Sequence, residues 1–269
     1  MQKFEQDYSK LVRAVLDVGV EIPGRNGNTL EAFGTSLKIN MRDIKVFPLL
    51  QGRRMFPKGI IGEFAALLRR PSHVDDFTKW GCNYWDSWAA FDGSLDVDYG
   101  NAWVDFDGID QIAELKHLLA TDPHSRRMIV TGWNPRNLAD LSLPCCHMLY
   151  QFNVQGKYLN MIWTQRSADL MIGVPSDVIL AALWLIMLAN EFGLKPGVIT
   201  MNFGSTHIYE EHIDGARHYL DVLKDGVDWT PPKYKLNCKP GKDFLTFEPD
   251  DIDLGLYISN APIKFELKS

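Results

Sequence analysis

Between Ser176 and Phe192 the chain carries apolar residues around nearly the whole circumference of a helix. Val178, Ile179, Leu180, Leu183, Trp184, Leu185 and Met187 leave no solvent-facing stripe, so this helix has to be buried. Pro175 suits its first turn, and Gly193 marks a C-terminal stop. A chain of 269 residues, 46% of them hydrophobic, easily buries such a helix in one large domain or two small ones. Strands are expected at Glu31–Ile39, Met128–Thr131, Met148–Val154, Tyr158–Gln165 and Val198–Ile208, with Gln155-Gly156-Lys157 as a tight turn. Helical spacing of apolar residues predicts further helices over Phe4–Val18, Ile60–Leu68 and Ile109–Leu119. Pro23–Asn28 reads as a turn-rich loop and Phe47–Leu50 as a short edge segment. Residues 230–248 read as Pro/Lys-rich strand and turn. No internal repeat, low-complexity tract or clear linker divides the chain, so residues 1–269 are read as one domain.

A net charge of −6 argues against a general nucleic-acid binder, so any anionic ligand must be held by locally placed arginines. No apolar run reaches the roughly 18 residues of a membrane span. The N-terminal stretch MQKFEQDYSKLVRAV is too charged for a signal peptide. Four cysteines without C-x-x-C spacing suggest neither a zinc site nor a disulfide framework, and point to reducing cytosol. No metal is expected.

Varied chemistry gathers between residues 143 and 209. Leu143-Pro144-Cys145-Cys146-His147 is followed by Gln165-Arg166-Ser167-Ala168-Asp169, Gly173-Val174-Pro175-Ser176-Asp177 and Gly204-Ser205-Thr206-His207-Ile208-Tyr209. A thiol, an arginine beside a serine, two carboxylates and a His-x-Tyr pair suit a concave site for a polar ligand. A lone cysteine is more often a small buried hydrophobe than a nucleophile. Cys146 differs because His147 follows it and Arg166 is expected on a neighbouring strand, where a guanidinium favours thiolate. Adjacent residues of a strand face opposite ways, so Cys145 takes the structural reading. Asp177 is open to two readings, a ligand contact or a helix cap after Pro175. Glu63, among Ile60, Phe64 and Leu68, is open to an interior or a surface reading.

The order and spacing of these motifs resemble the thymidylate synthase family through nearly the whole chain. The resemblance implies an α/β (α+β) fold, one mixed twisted sheet flanked by helices and dimerising through the sheet. It implies 5,10-methylenetetrahydrofolate as co-substrate and a pyrimidine deoxynucleoside monophosphate as acceptor. Cys146, Glu63, Tyr99, His147 and Asp177 fall at catalytic positions. Arg25, Gln165, Arg166, Ser167, Asp169, Asp177, His207 and Tyr209 fall at nucleotide positions, with Arg126 and Arg127 reaching the partner subunit's phosphate. Trp85, Leu143, Asp169 and Gly173 fall on the folate side. In the implied chemistry a thiolate adds at carbon 6 of the pyrimidine and activates carbon 5 toward the one-carbon unit. Removal of the carbon-5 proton leaves an exocyclic methylene. Hydride then gives a methyl group, and water gives a hydroxymethyl group.

Departures from the family pattern narrow the expectation. Asp177 stands where thymidylate synthases carry an asparagine that matches uracil. Cytosine presents an amino donor and an N3 acceptor, which a carboxyl group matches when protonated. Aspartate there, with Ser205 in the Gly-x-x-His motif, resembles the phage deoxycytidylate (dCMP) hydroxymethylases. Phe56 replaces a histidine, Ser176 a phenylalanine, and Lys268-Ser269 a small apolar terminus. The expected activity is therefore 5-hydroxymethylation of dCMP in host cytoplasm. Methylation of dCMP, thymidylate synthesis and a messenger-RNA-binding regulator stand as alternatives.

Overall fold

The structure is a computed structural model that describes residues 1–42, 45–225 and 229–268. The elements run α1 (Lys3–Val18), β1 (Val20–Gly24), β2 (Gly27–Asn40), α2 (Pro57–Leu67), α3 (Val74–Thr78), α4 (Tyr99–Val104) and α5 (Gln111–Thr121). They continue through β3 (Ile129–Thr131), β4 (His147–Gln155), β5 (Tyr158–Asp169), α6 (Gly173–Glu191), β6 (Lys195–Tyr209), α7 (Ile213–Asp225), β7 (Lys235–Leu236) and β8 (Ile252–Asp253).

α6 is the centre of the core. Fourteen of its nineteen residues are buried, which explains why it lacks a polar stripe. It is long and apolar enough to cross a membrane by length and composition, an exception to the expectation that no run would be. Its burial inside the protein accounts for that composition. Trp184 stacks on Tyr150 and Phe152 at ring-centroid distances of 5.0 and 5.5 Å. Truncating Trp184 to alanine would remove about 3–5 kcal/mol of stability.

The main sheet has six strands in the order β1-β2-β6-β5-β4-β3. All neighbours are antiparallel except β5 and β6, which run parallel. This is the expected mixed sheet flanked by helices. Side chains alternate along a strand with period two, so one face of β5 and β6 begins as core and ends as site. On β5, Leu159, Met161 and Trp163 are buried and lead to Gln165 and Ser167. On β6, Ile199, Met201 and Phe203 lead to Ser205, His207 and Tyr209. Because these strands are parallel, both deliver their polar ends to the same place, with Ser167 beside Ser205 and Asp169 beside His207. Gly204 permits this pairing, since a Cβ there would lie 2.7 Å from the Arg166 carbonyl oxygen.

Several boundaries differ from the sequence reading. The loop predicted at Pro23–Asn28 is a hairpin in which β1 and β2 continue to Gly24 and Gly27. Phe47–Leu50 forms no strand. Its side chains are buried, and pairing is confined to one bridge between Val46 and Lys233. α6 begins at Gly173 rather than Ser176, which moves Asp177 past the capping position and overturns the capping reading. Cys145 and Cys146 precede β4 rather than lying within it, yet they still point apart.

Candidate active site

Two contiguous cavities open at the shared end of β5 and β6. The first, about 510 Å³, is the more polar of the two, with Arg25, Thr29, Arg166, Ser167, Ser205, His207 and Tyr209 in its wall. The second, about 470 Å³, is walled by Trp85, Tyr99, Leu180 and Phe265, with Glu63, Cys146, His147 and Asp177 among its polar groups. Leu143 lines both. Arg166 belongs to the wall of the first, while its Nη2 lies 3.8 Å from Cys146 Sγ in the second. The thiol therefore stands at the junction.

Local structure fixes that thiol. Arg166 donates from Nε to the Cys145 carbonyl at 3.0 Å and from Nη2 to the Pro144 carbonyl at 2.7 Å. The guanidinium is thus fastened to the backbone of the loop that carries the sulfur. Cys146 N–H donates to the Tyr99 hydroxyl at 2.9 Å. Burial raises the Cys146 thiol above its ordinary value; Arg166 opposes this, and a charge on Asp177 would add to it. The arginine alone does not make a resting thiolate, so the expected thiolate-favouring setting is weaker than the sequence suggested. Cys145 is fully buried, its Sγ 3.1 Å from the Gly132 carbonyl, and burial pushes it up to about 12.

Glu63 projects from α2 into the interior, as one of the two readings required. It accepts from Tyr84 Oη at 2.6 Å and Trp85 Nε1 at 2.8 Å, and burial pushes it up to about 7. Asp177 accepts from Gln165 Nε2 at 2.7 Å. Burial, with added repulsion from Glu63 and Asp169, pushes it up to about 8, against the opposing effect of the Gln165 bond. Asp177 and Cys146 keep some surface open to the cavity but are surrounded by protein, so they behave electrostatically as buried groups. At neutral pH Asp177 is mostly a neutral acid, able to donate as well as accept. His147 bonds Tyr150 Oη through Nδ1, and burial lowers it to about 3, so it is neutral.

Other expected residues are placed less directly. Gln165 is 2% exposed and lines neither cavity, acting instead on Asp177. Asp169 accepts the Met171 N–H at 2.8 Å and also lines neither. Gly173 lies in the wall of the apolar cavity at the start of α6. Arg126 and Arg127 are exposed in the turn before β3 and line neither cavity of their own chain. Sequence reasoning missed Tyr84, Arg53 and the wall built by Ile263, Phe265 and Leu267. Arg53 is buried, donates to the Met171 carbonyl and lies 4.9 Å from the Phe265 ring centroid. Its pairing with Arg54 was the available signal.

A model of the thymidylate synthase family matches residues 6–269. The chain belongs to the thymidylate synthase family. Membership implies folate-dependent transfer of a one-carbon unit to carbon 5 of a pyrimidine nucleotide, with methylenetetrahydrofolate as the donor. The apolar cavity fits a flat ring system, since Trp85 is 4% exposed, stacks on Phe77 at 4.6 Å and shares the cavity wall with Leu143 and Leu180. The polar cavity, with two arginines and several hydroxyls, fits a sugar phosphate.

Proposed function

We propose that this protein is a dCMP 5-hydroxymethylase, converting dCMP, 5,10-methylenetetrahydrofolate and water to 5-hydroxymethyl-dCMP and tetrahydrofolate. The observation that carries the reading is Asp177, a carboxyl pushed up to about 8 in the same cavity as Cys146. A neutral acid donates to cytosine N3 and accepts from the N4 amino group. Against uracil, an acid held with its carbonyl toward position 4 sets oxygen against O4, a mismatch costing on the order of 1–3 kcal/mol.

Cys146 Sγ bonds carbon 6, and Arg166 steadies the sulfur as it becomes anionic. The co-substrate supplies the one-carbon unit at carbon 5. Tyr99, whose hydroxyl receives the Cys146 N–H, carries the carbon-5 proton away as tetrahydrofolate leaves the exocyclic carbon. Glu63, bonded to Tyr84 and Trp85, orders protons in the same cavity. Water then adds to the exocyclic carbon, and loss of the sulfur from carbon 6 frees the product. Ser176 and Phe56 support this ending. Ser176 places a small side chain beside Asp177, and Phe56 stands 67% exposed at the cavity wall. Ser205 lies in the polar wall, and together with Asp177 it resembles the phage dCMP hydroxymethylases.

Methylation of the same nucleotide is the second reading. It is favoured by Trp85 and by the tail, where Phe265 lines the cavity and Glu266 receives His212 through its carbonyl at 2.9 Å, a cover that excludes water. Ser269 of the tail lies outside the described residues. Following dihydrofolate absorbance with dCMP, while weighing the nucleotide, separates the two. Hydroxymethylation gives no dihydrofolate and a hydroxymethyl-sized gain. Stoichiometric dihydrofolate with a methyl-sized gain would refute it.

The protein acts as a homodimer in this reading. Ile129, Gln151 and Ile162 share one sheet face through their register, and Ile129 and Ile162 are exposed on it. A second copy on that face would bring Arg126 and Arg127, beside β3, to the neighbouring polar cavity.

A further inference from the structure

Asp177 can present its proton on either oxygen, and the two arrangements read opposite bases. With the acid hydrogen toward N3 and the carbonyl toward position 4, the group matches cytosine. With the two exchanged, it matches uracil. A neutral aspartic acid alone therefore does not choose. Something must decide which oxygen bears the hydrogen.

The chain behind Asp177 makes that decision. Trp163 Nε1 donates to Gln165 Oε1 at 3.1 Å, and Gln165 Nε2 donates to Asp177 Oδ2 at 2.7 Å. Trp163 is fully buried, wedged against Tyr150 and His147 at centroid distances of 4.9 and 4.5 Å. An indole N–H is a donor only. Reversing the Gln165 amide would set donor against donor and leave a buried N–H unpaired, at about 1–3 kcal/mol. The amide direction is thus set by chemistry, and its NH₂ must face Asp177. Of the two oxygens of a neutral acid the carbonyl is the better acceptor, so the bond from Gln165 favours Oδ2 as the carbonyl. The hydrogen is left on Oδ1.

We propose that Trp163 is a positioning residue for base choice: its indole N–H fixes the direction of the Gln165 amide and, through it, which oxygen of Asp177 carries the proton. This rests on the reading of Asp177 as the base-reading group. Trp163 touches no substrate in this account; it acts two bonds away through Gln165.

Trp163→Phe keeps the aromatic bulk and removes only the N–H. Gln165 then keeps only the long 3.5 Å bond from Nε2 to the Ser167 carbonyl to hold its direction, so its oxygen can turn toward Oδ2 and both proton arrangements become available. The experiment measures kcat and KM for dCMP and dUMP in wild type and Trp163→Phe, with a thermal melt to confirm folding. Discrimination between the nucleotides should fall by about tenfold, with KM rising for the preferred base and falling for the other. A loosened core would slow both together. A ratio unchanged within about twofold, with equal losses for both nucleotides, overturns the proposal. If Trp163→Phe does not fold, Gln165→Met serves, and unchanged discrimination there has the same meaning. A wild type that prefers dUMP refutes the cytosine reading but not the lock, because Trp163→Phe must still collapse whichever preference exists. If Asp177→Asn shifts the preference while Trp163→Phe does not, the base reading stands and the lock fails.

Discussion

The polar cavity takes most of its wall from β2, β5, β6 and the hairpin beside them, whereas the apolar cavity collects its wall from segments as far apart as Arg53 and Leu267. In the first, strand register sets the geometry, as Ser167 beside Ser205 shows. In the second, a helix, a 3₁₀ turn at Trp85–Trp88, the loop before β4 and the tail must all dock before any wall exists. Rigid strand ends suit the fixed geometry of a phosphate and sugar. A wall closed by a tail suits a larger ligand that must enter before water is excluded. Cys146 stands where the two meet, so chemistry depends on both.

Loss of the junction should have the largest effect. Cys146→Ser is expected to reduce turnover by on the order of a thousandfold or more, while Cys145→Ser retains most activity. Single-turnover assays on folded variants check this, and comparable turnover by Cys146→Ser would remove covalent catalysis from that residue.

The polar cavity is proposed to be completed by a second chain, and the apolar one by its own tail. Arg126→Ala should then raise KM by roughly ten- to a hundredfold, the range for a charged hydrogen bond to phosphate. Mixing it with Cys146→Ser should restore roughly a quarter of the sites, because each mixed dimer has one site spoiled twice and one intact. No recovery in verified hybrids would place these arginines outside the site.

Asp177→Asn changes one polar atom in the apolar cavity. It should move the kcat/KM ratio toward dUMP by at least about tenfold, roughly 1.4 kcal/mol in transition-state binding. The same change removes a carboxyl raised from 3.8 to about 8 on folding. Such a group favours the folded state fully below its unfolded value and loses that contribution as pH rises to the folded one. The variant's melting temperature should therefore fall less than wild type's across that range.

Much of this was legible in the sequence, unevenly. α6 declared its burial, and the strands expected at Tyr158–Gln165 and Val198–Ile208 are present as β5 and β6. Glu63 was harder, because a helical glutamate is ordinarily solvated; only Tyr84 and Trp85, twenty residues away, show why this one is inside. The start of α6 was missed by three residues since Gly173 and Val174 carry no cap, and Ile172 before them makes no side-chain capping bond. Trp163 is core. Its second role depends on one hydrogen bond to Gln165, which spacing cannot reveal.

The central claim is that a neutral Asp177 reads cytosine, and the direct test is the kcat/KM ratio of dCMP to dUMP in wild type as pH is raised through about 8. Below that value the acid carries its hydrogen and dCMP should be preferred. Above it the carboxylate can no longer donate to N3, and the preference should fall by about tenfold per pH unit until it levels off. A preference for dCMP that does not change with pH, or a preference for dUMP throughout, would contradict the account.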